Sequence, residues 1–212
     1  MGYVDLLEEG VAGAMTTEQV EMISTISRNS RRLLDLIEDL LTLSRIESGT
    51  FALRSEPVDI RRLVDRMTGE LRPRFEARNL TLDVVLAEGT PTVSGDPDQL
   101  ERALLHVLSN ALKFTSDGGH VTVTVTVHDT DVEIVVADTG IGIPADELPR
   151  LFQRFFRAST ARDVGGTGLG LVVAKRIVDG HRGRIAVTSN QGAGTVASLR
   201  LPLDPALADA TT

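Results

Sequence analysis

The feature that most limits how this chain can fold is a long stretch, residues 16–48, without glycine or proline. Apolar side chains recur through it at helical spacing and predict one long amphipathic helix: Val20, Ile23, Leu34, Ile37 and Leu41. Thr16 followed three residues later by Gln19 is typical of a capping box, and Gly49 supplies a stop. The sequence therefore marks both ends of this helix.

A shorter helix is expected before it, over residues 2–9, with residues 10–13 as the connecting turn. The two helices would form a hairpin that makes up a first domain, residues 1–54. Polar Ser27 and Ser30 lie within its apolar stripe, so the hairpin cannot bury both faces by itself. Partner helices from another chain are implied.

A second domain is expected over residues 55–203, followed by a disordered tail over 204–212. Its helices are predicted over residues 60–77, 96–114 and 169–180, and its strands over 80–85, 121–127, 132–137, 184–189 and 195–201. A flexible stretch is expected over residues 139–167. Because the elements show no regular βαβ repetition, the predicted class is α+β, with a mixed sheet covered on one face by helices.

Composition excludes several kinds of function. The net charge of -8 gives no basic field for a nucleic-acid backbone. The chain has no cysteine, so disulfides, thiolate metal sites and thiol nucleophiles are excluded. No apolar run is long enough to span a bilayer, so we expect a soluble chain that makes no membrane contact of its own.

Three segments carry the candidate chemistry, and the first is on the predicted helix 96–114. His106, Asn110 and Lys113 follow one another at spacings of four and three residues, which places them along one helix face. An Asn amide oxygen suits Mg²⁺, and Lys113 adds a positive charge to the same patch. Taken alone, the triplet is more often a solvated polar helix face.

The second segment, residues 138–143, begins with Asp138 at the end of a predicted buried strand. The glycines that follow, Gly140 and Gly142, would let a ligand approach the backbone. A carboxylate can accept a hydrogen bond from the exocyclic amine of adenine, and Ile141 and Ile143 can supply apolar walls. The alternative is an ordinary Asp-Gly turn. It is disfavoured by the apolar and basic segment downstream, residues 151–157.

The third segment is glycine-rich, residues 165–171, and opens directly into an apolar helix. Its glycines free successive backbone N–H groups, and the helix directs its positive dipole end at the same point, which predicts a phosphate-binding loop. It matches neither the P-loop nor the dinucleotide-binding fingerprint. A flexible linker is the alternative.

In this order the segments resemble the catalytic ATP-binding domain of sensor histidine kinases, and the resemblance covers nearly the whole chain. Residues 110–114 are similar to the family's N box, 138–143 to its first glycine box, 151–157 to its F box and 165–171 to its second glycine box. Residues 192–195 and the closing Leu201 and Pro202 are similar to its C-terminal strands. The resemblance implies a helical hairpin followed by a Bergerat-type α/β sandwich.

It also implies ATP and Mg²⁺ as ligands, with Asn110 on the metal, Asp138 on adenine and residues 152–167 as a lid over the phosphates. The catalytic candidates are His106, Asn110, Lys113, Arg154 and Arg157, of which either arginine could meet the γ-phosphate. The nucleotide contacts implied are Asn110, Lys113, Phe114, Asp138, Gly140, Ile141, Gly142, Ile143, Phe155, Gly166, Thr167, Gly168, Leu169, Gly170 and Thr195.

One position departs from the family pattern, because His106 stands where the family often has a second Asn. Related chaperone and gyrase-type ATPases have a water-activating Glu at the equivalent position. Its absence favours phosphoryl transfer over efficient hydrolysis. His120, His128 and His181 fall in turns or at element ends, where solvated or structural roles are expected.

The hairpin resembles the family's dimerisation domain, through residues 2–7 and 40–49. The family's phosphoacceptor lies in a His-Glu/Asp-x-x-x-Pro context, but no histidine precedes His106 here. We therefore expect a truncated core that does not autophosphorylate alone, with a homodimer contact weakened by the truncation. The implied partner is a response-regulator receiver domain, and the implied location is the cytoplasm, with a parent protein that can carry a membrane anchor.

The main hypothesis is a protein-histidine kinase core, which transfers the γ-phosphate of ATP to a histidine absent from this chain. One alternative is a non-catalytic module that binds ATP and uses the hairpin for partner recognition. The other is a slow ATPase of the broader Bergerat group.

Overall fold

A computed structural model describes residues 13, 15–48, 52–161 and 164–204. The helix expected over residues 2–9, the stop at Gly49 and the tail after Asp204 lie outside the described residues.

The long helix is present as α1, Thr17–Glu47. Its first turn carries the predicted capping box: Gln19 N donates to Thr16 Oγ1 at 3.2 Å, and Thr16 N donates to Gln19 Oε1 at 2.9 Å. Much of its apolar stripe is exposed, including Val20, Met22, Ile26, Leu33, Leu34, Ile37, Leu40 and Leu41. Such a stripe fits the prediction of partner helices from another chain.

The second domain is built around a five-stranded mixed sheet in the order β2-β4-β5-β7-β6. The strands are β2 (Thr81–Leu86), β4 (His120–Val127), β5 (Asp131–Asp138), β6 (Arg184–Asn190) and β7 (Gly194–Pro202). Only β2 and β4 are parallel among these neighbours; the other pairs are antiparallel. Strands β4 and β5 follow one another in the chain and form an antiparallel hairpin.

Three helices cover one face of this sheet, which confirms the predicted architecture. They are α2 (Ile60–Glu76), α3 (Pro97–Phe114) and α4 (Gly170–Gly180). Alternate residues of β4 and β5 are buried against them, including Val121, Val123, Ile134 and Val136. Burial on one face only is what fixes the register of such strands.

The described residues also contain a small two-stranded ladder. Strand β1, Glu56–Asp59, pairs antiparallel with β3, Thr92–Gly95. Strand β3 was not expected from the sequence, because four residues between turns are too short to show a period. Its position matters, since it ends directly before Asp96, which caps helix α3.

The linker between α1 and the second domain is attached to this same cap. Arg54 N donates to Asp96 Oδ2 at 3.1 Å, and its guanidinium contacts both Asp96 Oδ1 at 3.2 Å and Asp98.

None of the helices in the described ranges is both long and apolar enough to cross a bilayer.

Candidate functional site

The candidate site is a cleft of about 1460 Å³ that lies beside α3, at one end of β5 and β7. Its walls are α3, the chain from Asp138 to Ile143, and the glycine-rich loop before α4, and one side is closed by α1. The three sequence segments therefore converge on one cleft.

Helix α3 presents the predicted polar face to this cleft. His106, Asn110 and Lys113 all line it and are half-buried, while Leu104 and Leu108 are fully buried on the opposite side. Lys113 Nζ also reaches the glycine-rich loop, because a Cβ placed on Gly166 would collide with it. This placement disfavours a simple solvated helix face.

Asp138, the last residue of β5, is held by backbone donors from two different segments. Its Oδ1 accepts hydrogen bonds from Gly140 N at 2.8 Å and from Thr195 N at 3.2 Å. None of the described residues donates to its Oδ2. Because Thr195 belongs to β7, the arrangement is more than an Asp-Gly turn. It offers one carboxylate oxygen to a ligand in the cleft.

Burial raises the pKa of Asp138 above its ordinary value, and the two backbone hydrogen bonds offset only part of that rise. Desolvation penalises the charged form of a carboxyl group, so a donor from a ligand would be a favourable partner for it. A perturbed carboxyl in a cleft is typical of a functional position.

The glycines after Asp138 allow the chain to pass close to its neighbours. A Cβ on Gly140 would lie 2.5 Å from the carbonyl oxygen of Phe114, at the end of α3. Gly142 has φ +62°, and a Cβ there would collide with the carbonyl oxygen of Asn190. Both glycines are therefore required by the local packing.

A serine on β6 fixes the far end of this segment, and sequence reasoning missed it. Ser189 Oγ accepts from Ile143 N at 2.9 Å and donates to Gly194 O at 2.6 Å. It also lies 2.9 Å from Thr195 Oγ1. Its partner Ile143 is 46 residues away in sequence, so no local pattern could have identified that contact.

The glycine-rich loop contributes backbone to the cleft and one side chain to the core. Gly166, Thr167, Gly168 and Gly170 line the cleft, whereas the Leu169 side chain is fully buried in the core. Of these predicted nucleotide contacts, Leu169 could thus contribute only through its backbone. Thr167 Oγ1 accepts from Leu169 N at 3.3 Å and stabilises the turn into α4.

The two candidate arginines lie in different places. Arg157 lines the cleft and donates to the carbonyl oxygen of Val164 at 2.7 Å. Arg154 and the exposed Phe155 line a smaller surface depression next to the cleft, to which Arg157 also contributes. Phe155 N donates to Gly168 O at 3.1 Å, which connects the F-box segment to the glycine-rich loop.

Helix α1 also reaches the cleft, which the sequence did not indicate. Asp39 Oδ1 accepts from Arg102 Nη2 at 2.8 Å and lies 3.1 Å from His106 Nε2. Thr42 Oγ1 accepts from Arg102 Nη1 at 2.7 Å. The hairpin helix is thus ion-paired to the helix that carries the N-box residues.

Comparison with known proteins agrees with this geometry. Residues 95–205 match the family model described as histidine kinase-, DNA gyrase B- and HSP90-like ATPase. Residues 1–49 match the model of the His Kinase A (phospho-acceptor) domain. The first match includes α3, the chain from Asp138 to Ile143 and the glycine-rich loop. The second includes α1.

Curated relatives are histidine kinases that are much longer than this chain. The histidine protein kinase DivJ of Caulobacter vibrioides is 38% identical over 96% of this chain and 34% of its own length. The sensor histidine kinase RppB of Synechocystis is 38% identical over 86% of this chain and 40% of its own length. The chain therefore spans well under half of these relatives.

Solved structures show the same fold. ShkA, in a full-length structure in complex with AMPPNP, superposes with a TM-score of 0.77 at 29% identity, covering 94% of this chain and 41% of that one. The mycobacterial sensor histidine kinase MprB superposes with a TM-score of 0.64 at 36% identity, covering 69% of this chain and 97% of that one.

Fold, cleft and family match together define an ATP-binding α/β sandwich preceded by a long amphipathic helix. The chain belongs to the histidine kinase-, DNA gyrase B- and HSP90-like ATPase family, and within it to the catalytic region of sensor histidine kinases.

Proposed function

We propose that this chain binds ATP with Mg²⁺ and supplies the catalytic half of a histidine phosphotransfer reaction in two-component signalling. The observation that carries the proposal is the Asp138 carboxylate. It is fixed through Oδ1 by two backbone N–H groups, and it lies in a cleft that continues past Lys113 to the glycine-rich loop.

Each part of the cleft suits one part of the nucleotide. Oδ2 of Asp138 would accept a hydrogen bond from the exocyclic amine of adenine, with Ile141 and Ile143 beside the ring. Lys113 and the backbone N–H groups of residues 166–170 would bind the phosphates, at the positive end of α4. Arg157, which also lines the cleft, is a further candidate for the γ-phosphate.

Asn110 would supply the amide oxygen for Mg²⁺. A bound Mg²⁺ neutralises developing charge on the transferred phosphoryl group and usually retains waters and phosphate oxygens as ligands. Among the described residues no group of three or more acidic or histidine side chains could hold a metal by itself. One neutral amide together with phosphate oxygens is consistent with that sparse protein contribution.

The phosphate acceptor would be a histidine on a phosphoacceptor hairpin, because no histidine precedes His106 in this sequence. The whole protein would then pass the phosphate to a response-regulator receiver domain. The exposed apolar stripe of α1 supports a homodimer through the hairpin. The catalytic region would work in the cytoplasm.

A trans-phosphorylation assay tests the reaction. The chain is mixed with a separately made hairpin that contains the His-Glu/Asp-x-x-x-Pro motif, in the presence of radiolabelled ATP. We expect acid-labile phosphate on the hairpin and none on this chain alone. Asp138→Ala should abolish the transfer, and Asp129→Ala, in an exposed turn, should leave it intact. Absence of transfer from a chain that binds ATP would contradict the kinase assignment.

Calorimetric titration tests the ligand assignments separately. Asp138→Ala should abolish binding of adenine nucleotides with or without Mg²⁺. Asn110→Ala should retain binding but lose most of its dependence on Mg²⁺. Unchanged affinity in the Asp138 variant would overturn the adenine assignment, and an unchanged Mg²⁺ dependence in the Asn110 variant would overturn the metal assignment.

A further inference from the structure

The carboxylate of Asp39 is an unusual feature of helix α1, because it is buried on a helix whose surface is mostly exposed. Its side chain is 6% exposed and faces Arg102 and His106 of α3. Arg102 is held by two residues of α1, through Asp39 Oδ1 at 2.8 Å and Thr42 Oγ1 at 2.7 Å. A buried anion requires such partners.

His106 connects this carboxylate to the nucleotide cleft. Its Nε2 lies 3.1 Å from Asp39 Oδ1, a distance suited to an ion pair, although the ring is not aligned for a hydrogen bond. On its other side, Nδ1 lies 2.9 Å from where a Cβ on Gly170 would be. Gly170 is the first residue of α4, directly after the glycine-rich loop. The imidazole is therefore packed between α1 and the predicted phosphate site.

Asp39 retains its negative charge in this position. Burial acts to raise the pKa of its carboxyl, but the interactions with His106 and Arg102 outweigh burial and lower the pKa overall. The cleft thus already contains an anion that is bound to two basic side chains of α3. A nucleotide polyphosphate in the same cleft would be attracted by the same basic side chains.

We propose that Asp39 acts as an internal competitor of the nucleotide polyphosphate, so that α1 holds Arg102 and His106 in an autoinhibitory latch that a bound triphosphate loosens. The inference rests on the proposed ATP site. It assigns to α1 a role in addition to dimerisation, namely direct control of nucleotide affinity through one carboxylate.

Thermodynamic linkage makes the effect reciprocal. If the latch weakens triphosphate binding, then triphosphate binding must weaken the contact between α1 and α3 by the same factor. The effect of Asp39 on ligand affinity should depend on the polyphosphate charge, because adenosine has no phosphate group that could compete with Asp39 for Arg102 and His106. These two consequences can be measured independently.

The first measurement is nucleotide affinity by calorimetry. Asp39→Asn removes the charge while keeping the side-chain shape. Glu21→Gln, which makes the same charge change on the exposed surface of α1 away from the cleft, is the control. We expect Asp39→Asn to bind AMPPNP about 5-fold or more tighter, the lower end of typical coupling between sites. The affinity of Asp39→Asn for adenosine should stay unchanged, and the Glu21→Gln control should bind both AMPPNP and adenosine like the unsubstituted chain. Equal AMPPNP affinity in the two variants, or an equal gain for adenosine, would overturn the proposal.

The second measurement needs no change at Asp39, so it does not depend on how that variant folds. The chain has no cysteine, so a spin-label pair can be introduced at two exposed positions, Glu21→Cys on α1 and Glu88→Cys between β2 and β3. We expect AMPPNP to shift or broaden the distance distribution between the labels, and adenosine to leave it unchanged.

A distribution that AMPPNP leaves unaltered, in a chain that binds AMPPNP, would overturn the latch while leaving the proposed function intact. Failure of the unsubstituted chain to bind AMPPNP at all would overturn both, so the two kinds of failure are distinguishable.

Discussion

The imidazole of His181 accepts a hydrogen bond through Nε2 from the backbone N–H of Asp96, at 2.8 Å. Because Nε2 is an acceptor, Nδ1 carries the ring proton and donates a hydrogen bond to the carbonyl oxygen of Ile177 at 2.8 Å. Asp96 in turn caps α3 through Gln99 N and binds Arg54 of the linker. One buried histidine thus connects the end of α4 to the start of the helix that carries Asn110.

Replacing His181 with alanine should destabilise the second domain. The substitution leaves the N–H of Asp96 and the carbonyl of Ile177 with less hydrogen bonding in a buried region, which typically costs about 1–3 kcal/mol per unsatisfied group. Urea denaturation measures the loss. His120→Ala, which removes a largely exposed partner of Asp83, is the control and should cost at most about 1 kcal/mol. Equal losses for the two variants would contradict the structural role of His181.

Gly142→Ala should impair both folding and nucleotide binding. The residue has φ +62°, and the added methyl group would collide with the carbonyl of Asn190. Backbone strain alone costs about 1 kcal/mol or more at such a position, and the collision adds to it. Gly69→Ala is the matched control, because Gly69 lies in α2 with open space around its Cα. That substitution should stabilise the chain by about 0.5–1 kcal/mol in thermal or chemical denaturation.

Local patterns were sufficient to predict most of the second domain. The helix caps at Thr16 and Asp96 depend on hydrogen bonds to residues three positions later. The alternation in β4 and β5 likewise extends over only eight residues in each strand. Both patterns can therefore be recognised in the sequence. The polar face of α3 is similarly local. These elements were confirmed close to their predicted bounds.

Contacts between distant segments could not be predicted in the same way. The hydrogen bond between Ser189 and Ile143 and the ion pair between Asp39 and Arg102 depend on how the finished elements pack, and neither residue lies in a recognisable motif for its role. Leu169 shows the converse, because a residue inside a ligand-binding segment has its side chain in the core. The residue chemistry indicated the ligand, while packing determined which atoms could reach it.

Acid should destabilise the sheet through Glu133. Its pKa is lowered, first by the hydrogen bonds from Arg200, at 3.0 and 3.1 Å, against an opposing effect of burial. A carboxyl group with a depressed folded-state pKa stabilises the fold above its ordinary value of 4.5 and loses that contribution as pH falls through the folded value. Melting temperature over a pH series should show this loss, and Glu133→Gln should reduce its size. If the melting temperatures of the unsubstituted chain and Glu133→Gln fell equally as pH decreases, Glu133 would not be the group responsible.

Asp138 should respond to pH in the opposite sense. Because burial raises its pKa above the ordinary 3.8, protonation favours the folded chain, and its contribution to stability increases as pH falls through the folded value. Nucleotide binding needs the charged acceptor, so AMPPNP affinity should fall over that same pH window, at a higher pH than an ordinary aspartate would give. Asp138→Asn should bind weakly and without this pH step. Affinity measured by calorimetry at several pH values tests both statements, and a step that persists in Asp138→Asn would show that another group titrates.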